Sequence, residues 1–262
     1  MLITVDGLVI GHRESGDCNR YLDVLTAEYG VIEVFAHSVK KITSKNAGST
    51  SLFSYSGFCL SVSGGRCTIN SSCPKYNFHR LSGDIFALSL AVYFAEAVKY
   101  TNPEHLEVKS YSPHGESVLD LLLITLYELE QKKIPLKQIK AVFELKLSSM
   151  VGFMPDLRAC EACACYEADI QYFLPESGNI YCADCFNDRE LYSYTVFIMD
   201  KTMVYTLRHI IYSVLKKVYK FNINEKYIGE LSEITEKYLL LHIDKSFKTL
   251  EYFKGILNGQ QP

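Results

Sequence analysis

Four of the nine cysteines fall into two pairs, Cys160 with Cys163 and Cys182 with Cys185, in a C-x2-C-x18-C-x2-C arrangement. Two cysteines three apart in a tight turn aim both sulfurs at one ion at about 2.3 Å, and a hairpin between two such turns completes a tetrahedron. The spacing therefore predicts one zinc ion held by Cys160, Cys163, Cys182 and Cys185. Four thiolates leave no open position for water, so the ion is expected to hold a loop rather than activate a nucleophile. Cys165 is a spare, and spacing alone admits iron as well as zinc. A set of buried reduced thiols does not require two pairs, and a redox C-x-x-C expects a single motif beside a βαβ unit. Metal knuckles often place glycine after the second cysteine of a pair; here Ala164 and Phe186 stand there instead.

The second arrangement is an acid-free stretch. Residues 34–83 contain no Asp or Glu but carry Lys40, Lys41, Lys45, Arg66, Lys75 and Arg80, interleaved with Phe35, Phe53, Tyr55, Phe58, Tyr76 and Phe78. Cations neutralise phosphates and rings stack on bases, the combination that binds single-stranded nucleic acid. For any one ring a place in the core is the expected outcome. The lysines at 40, 41 and 45 lie in the longest connection, residues 37–51, whose Gly-Ser-Thr-Ser end favours a mobile loop. The net charge of −3 conceals this polarity, because residues 1–80 sit at plus two and the rest at minus five.

Enzyme signatures are missing. No phosphate-binding G-x-x-x-x-G-K-[ST] loop, dinucleotide G-x-G-x-x-G, H-E-x-x-H or G-x-S-x-G is found, and the histidines at 12, 37, 79, 105, 114, 209 and 242 are scattered. A non-enzymatic binding protein is the expectation. Glu144, among apolar stripe residues, is expected to pair with a cation inside a helical domain.

The elements that must position these groups change type along the chain. Residues 2–10, 21–26, 31–36, 52–62 and 67–72 are short β-branched and aromatic runs separated by Ser15-Gly16-Asp17, Tyr29-Gly30 and Ser63-Gly64-Gly65. Five such strands in this length suggest a small barrel. From residue 82 the apolar period becomes 3.6, predicting helices at 84–99, capped by Ser82 or Asp84, then at 117–133 and 136–151. A cysteine-rich insert, residues 158–187, contains a hairpin of strands 170–174 and 179–181. Helices then resume at 200–219, 225–241 and 245–257, ahead of a fraying tail at 258–262. The fold class is α+β, with residues 1–80 as a nucleic-acid-binding barrel and 81–262 as a helical domain carrying a zinc-ribbon-like insert.

Apolar residues make up 48% and charged residues 22%, which excludes a disordered or collagen-like chain. No apolar run approaches the roughly 20 residues a membrane helix needs. The first residues lack the basic region of a signal peptide, so a reducing cytoplasm is expected, where cysteines serve as metal ligands or thiols rather than disulfides.

The order of these parts resembles the RecO family of bacterial recombination mediators. The stretches that carry the resemblance are LDVLTAEYG (22–30) followed by AHSVKKITSK (36–45), AVFELKLSSMVGFMPDLRACEAC (141–163) and LLLHIDKSFKTLEYF (239–253). The resemblance covers essentially the whole chain. It implies an N-terminal oligonucleotide-binding (OB) barrel, binding of single- and double-stranded DNA, and annealing of complementary strands. It also implies binding to the C-terminal tail of single-strand-binding protein, partnership with RecR in loading RecA, and residence at the bacterial nucleoid. Cations on the barrel and its loops contact DNA in such proteins, and the matching positions here are Lys40, Lys41 and Lys45. Arg13, Arg66 and Arg80 are added from charge alone. Phe143 and Leu147 beside Lys146 offer a candidate pocket for an acidic, apolar-ended tail. A zinc-ribbon RNA-binding or transcription-associated factor is the alternative that shares barrel and metal.

Overall fold

The computed structural model describes residues 1–41, 44–102, 115–186 and 195–259. Ile42, Thr43, Pro103, His105, His114, Asn187 and residues 260–262 lie outside the described residues. The fold is α+β. By packing, the chain forms two compact units, one of Met1–Lys132 with Phe247–Pro262 and one of Lys133–Ser246.

The first unit begins with five strands, β1 (Leu2–Ser15), β2 (Asn19–Thr26), β3 (Gly30–Ala36), β4 (Ser54–Ser63) and β5 (Arg66–Asn77), closed into a barrel in the order β1-β2-β3-β5-β4. This is the five-stranded architecture of an OB barrel. Alternation sends Leu22, Val24, Ile32, Val34, Phe58 and Leu60 inward, where they form one buried cluster with Val5 and Val9. β1 serves two neighbours, pairing with β4 over its first half and with β2 over its second. Gly7 sits where the two pairings overlap, and a Cβ there would lie 2.4 Å from Val24 Cγ1. The absent side chain lets the sheet coil closely enough to close.

Helices α1 (Ile85–Thr101) and α2 (Val118–Gln131) follow, and the last helix α7 (Lys248–Leu257) returns to pack on α1. Asp84 is the cap of α1, accepting from the amides of Phe86 and Ala87, and Ser117 forms a capping box with Asp120 on α2. A boundary at residue 80 separates strands from helices, but packing groups α1, α2 and α7 with the barrel.

The second unit holds α3 (Leu136–Met150), a four-stranded sheet of β6 (Asp156–Cys160), β7 (Ile170–Leu174), β8 (Asn179–Cys182) and β9 (Phe197–Asp200) in the order β6-β8-β7-β9, and helices α4 (Lys201–Tyr212), α5 (Leu215–Val218) and α6 (Glu225–Ile243). The single helix expected over 200–219 is broken at Ser213 and Val214, both extended. The buried ammonium of Lys146 explains the break: it donates to the carbonyls of Ile211 at 2.9 Å and Ser213 at 2.7 Å, giving the end of α4 partners that a continuing helix would have supplied. Glu144 is fully buried and pairs with Lys140, which also reaches Glu236 at 2.8 Å on α6. Among the described residues no helix is long and apolar enough to cross a membrane.

Candidate metal centre and nucleic-acid interface

The first cysteine pair sits where β6 ends. Cys160 is buried at the strand terminus; the chain then turns, Ala164 N donating to Cys160 O at 2.8 Å and Cys160 N to Cys165 O at 2.9 Å. Ala164 holds φ +59°, the left-handed conformation that glycine supplies without strain, which explains why glycine is usual at this place. The second pair ends β8, with Cys185 N and Phe186 N both donating to Cys182 O. Phe186 fills its position differently from a glycine, stacking on Tyr172 with ring centres 4.1 Å apart.

The hairpin between the pairs has the register Phe173↔Ile180 and Tyr172↔Tyr181, and its turn depends on Gly178. That residue has φ +73°, and a Cβ there would meet Tyr238 Oη at 3.0 Å. The parallel pairing of β6 with β8 sets the two knuckles side by side.

All four sulfurs lie within 4.8 Å of one another. The Sγ atoms of Cys163 and Cys182 are 3.7 Å apart, close to the edge of about 3.8 Å in a tetrahedron with 2.3 Å zinc–sulfur bonds. Electrostatics within the cluster is uneven. Burial raises the Cys160 thiol, but the amides of Cys182, Cys163 and Ala162 point at its sulfur and bring it down to about 6. Cys185 is pushed up to about 12 by hydrogen bonding with the Cys163 and Cys182 sulfurs. One thiolate is thus favoured by the fold, and a cation among the sulfurs is what would draw off the remaining protons. The donor set fits a metal that prefers four soft ligands.

Arg208 on α4, buried and unpaired with any carboxylate among the described residues, fastens the first knuckle from behind. Its Nε donates to Leu157 O at 2.6 Å and its Nη2 to Arg158 O and Tyr166 O, so one guanidinium grips the chain on both sides of Cys160 and Cys163. Tyr166 covers the same guanidinium, with Cζ 4.2 Å from the ring centre. An arginine in an apolar helix gives no sequence signal for such a role.

On the barrel, three strands bring one row together. Arg13 on β1 pairs in register with Tyr21 on β2, and Tyr21 with Phe35 on β3. The Arg13 guanidinium lies 4.4 Å from the Tyr21 ring centre, and the Tyr21 and Phe35 rings are 5.0 Å apart. Neither Tyr21 nor its place beside Arg13 was evident from spacing, since the two are eight residues apart on different strands. His37 continues the row, 6.3 Å from Phe35.

The other rings divide. Phe53, Phe58 and Phe78 are core residues, whereas Tyr55 is half-buried and Tyr76 exposed, its hydroxyl donating to Glu130 at 2.8 Å.

The cations do not gather at one spot. Lys40 is paired with Glu14 at 3.0 Å, and Glu14, held by Lys40 and Arg20, titrates below the usual carboxylate range. Arg13 is paired with Glu33 at 2.5 Å and Lys75 with Asp6 at 2.6 Å. Lys41, Lys45 and Arg66 are exposed without a carboxylate in reach among the described residues. Arg66 begins β5 and Arg80 follows its end, so about a dozen residues at roughly 3.3 Å each separate them. The loop bearing the lysines is anchored at its far end, where Ser49 and Thr50 are buried and Ser72 Oγ donates to Asn46 Oδ1. The far end of the loop is therefore held against the barrel.

The pocket expected around Phe143, Leu147 and Lys146 is closed. Both apolar side chains are fully buried, and the Lys146 ammonium is taken up by the α4 carbonyls. Helical spacing placed these residues on one face, and packing turned that face inward.

A family model described as Recombination protein O N terminal matches residues 1–72, and one described as Recombination protein O C terminal matches residues 82–251. The chain is similar to the DNA repair protein RecO of Alkaliphilus metalliredigens, 27% identical over 257 residues that cover 98% of this chain and 100% of the relative. It is 30% identical to the DNA repair protein RecO of Dehalococcoides mccartyi, over 95% of this chain and 94% of the relative. The protein of the same name from Acetivibrio thermocellus is 24% identical over 97% of each chain. With both halves matched by its models and full-length relatives alongside, the chain belongs to the RecO family.

Proposed function

We propose that this protein binds single- and double-stranded DNA through the barrel, anneals complementary strands, and acts with RecR and single-strand-binding protein to assist RecA loading in recombinational repair. The observation that carries the reading is the Arg13–Tyr21–Phe35 row across three strands of a closed five-stranded barrel. A guanidinium set beside two neighbouring rings offers one phosphate contact and two stacking surfaces, the elements of a single-strand site. Lys41 and Lys45 add phosphate contacts from the loop, and Lys40 and Arg13 join them when phosphate replaces Glu14 and Glu33. Arg66 at the start of β5 and Arg80 three residues beyond its end contact a longer strand. Residues 1–80 act as the DNA-binding domain, and 81–262 form the helical domain with the zinc-binding insert at 158–187, with the protein at the nucleoid.

Zinc is the ion we assign to Cys160, Cys163, Cys182 and Cys185, as a closed structural site. Annealing needs no general base, because neutralising phosphates lowers the repulsion between strands and holding them raises their local concentration.

The test is annealing of complementary strands coated with single-strand-binding protein, together with a salt series on one strand. Replacing Lys40, Lys41 and Lys45 by alanine should make the log affinity–log salt slope shallower by about 1.4 to 2 units, at roughly 0.7 per lost phosphate contact. An unaltered slope in the folded variant would remove the loop from the interface. Failure of the wild-type chain to anneal would remove the annealing reading.

A further inference from the structure

The second unit carries an acid-free stretch of its own. Residues 201–224 contain no Asp or Glu but five cations, Lys201, Arg208, Lys216, Lys217 and Lys220. The fold spends two of them: Lys201 pairs with Asp169 at 2.9 Å, and Arg208 grips the metal knuckle. The remaining three fall within five residues on and just after α5. All are exposed, and among the described residues none meets a carboxylate within ion-pair distance.

Their placement is not that of a loose surface run. Leu215, Val218 and Tyr219 are buried and leave the lysines only the outward side. Lys216 and Lys217 lie on α5, and Lys220 closes the turn that follows it, its amide donating to Lys217 O at 2.9 Å. Three like charges within five residues repel one another, and among the described residues no acid pairs with them. The turn is held rigidly at its start, where Lys146 binds the carbonyls of Ile211 and Ser213. Just before the turn stands Tyr212, 48% exposed.

From these observations we propose that residues 212–220 form a second contact surface for single-stranded DNA, with Lys216, Lys217 and Lys220 binding successive phosphates and Tyr212 offering its ring to a base. The surface differs in kind from the barrel loop. Lys40 and Arg13 must exchange a carboxylate for a phosphate, whereas the three α5 lysines gain a counter-charge without losing one. This inference deepens the annealing reading and rests on it: a chain that anneals must hold two strands, and the barrel row accounts for one.

The experiment uses the full zinc-loaded chain and two non-complementary oligonucleotides carrying different fluorophores, so that simultaneous binding is read by energy transfer. Wild-type protein should take up both. Replacing Lys216, Lys217 and Lys220 together by alanine should leave the first oligonucleotide bound, abolish energy transfer, make the salt slope of the second binding step shallower by about 2 units, and slow annealing about tenfold. Zinc content and melting temperature should match wild type; if alanine lowers either, the triple glutamine variant keeps the test. The Lys40, Lys41 and Lys45 triple variant supplies the contrast, because it addresses the first strand. Unchanged energy transfer and annealing in the folded α5 variant would overturn the proposal while leaving the barrel reading intact. Loss of binding to an acidic protein tail, with both oligonucleotides still bound, would also overturn it and assign the surface to a protein partner. A wild-type chain that binds one strand and does not anneal would refute the reading on which the proposal rests.

Discussion

The two sheets of this molecule are held by different means. The barrel closes on itself around Val9, Leu22, Val24, Ile32, Val34, Phe58 and Leu60, all essentially inaccessible, so its stability comes from apolar burial. The sheet that carries the cysteines has strands of only four or five residues, and its two turns rest on four sulfurs and one guanidinium. Its strands bury Leu157, Phe173, Ile180 and Met199, but its two turns, residues 161–165 and 183–186, have no buried residue of their own, and a metal bound by the four sulfurs would tie them together. The barrel's core is thus complete without a ligand, whereas a metal at the four sulfurs would hold the two turns of the smaller sheet in place.

The largest effect that sharpens this contrast is expected at Cys182. Cys182→Ser removes one ligand from a site whose metal binding is worth on the order of 10 kcal/mol in small peptides. Zinc should be lost and amide protection should vanish across β6, β7 and β8, with barrel protection unchanged. Cys165→Ser should keep stoichiometric zinc. Metal analysis and hydrogen exchange measure both, and collapse of the barrel together with the sheet would break the comparison.

A smaller effect, in the opposite place, is expected for Phe58→Ala. Removing a ring that is 1% exposed should cost about 3–5 kcal/mol in denaturant unfolding. Zinc content should not change. A mild loss would mean that the barrel, too, is held by something other than its core.

The smallest effect is expected at Ala164. Glycine relieves the left-handed strain at φ +59° but loses more backbone entropy on folding, so Ala164→Gly should stabilise the knuckle by less than about 1 kcal/mol. Slower zinc transfer to a competing chelator is the readout, and faster transfer would show that the alanine side chain contributes packing there.

Patterns of local origin were legible in the chain. Alternation placed the five barrel strands, the 3.6 period placed α1, α2, α3, α6 and α7, and cysteine spacing picked out the four residues whose sulfurs the fold brings within 4.8 Å. Each of these depends on residues close in sequence or on a repeat that survives folding. The break between α4 and α5 was invisible, because the ammonium that satisfies the broken end comes from Lys146, some 65 residues away.

Charge was the least legible quantity. Residues 34–83 contain no acid, yet Asp6, Glu14 and Glu130 approach that stretch from other elements, with Lys75, Lys40 and Tyr76 as their partners. Composition along a chain reports the charges a segment owns, whereas the field at a surface sums those of every element that folds against it. For the same reason the Arg13–Tyr21–Phe35 row and the inward turn of Phe143 and Leu147 belong to the tertiary structure. Sequence by itself determined most of the elements, though not β6, β9 or the break between α4 and α5, and which four sulfurs can share an ion. Only the pairing of strands and packing of helices decided which rings and cations remain outside, because that choice is made between residues distant in the chain.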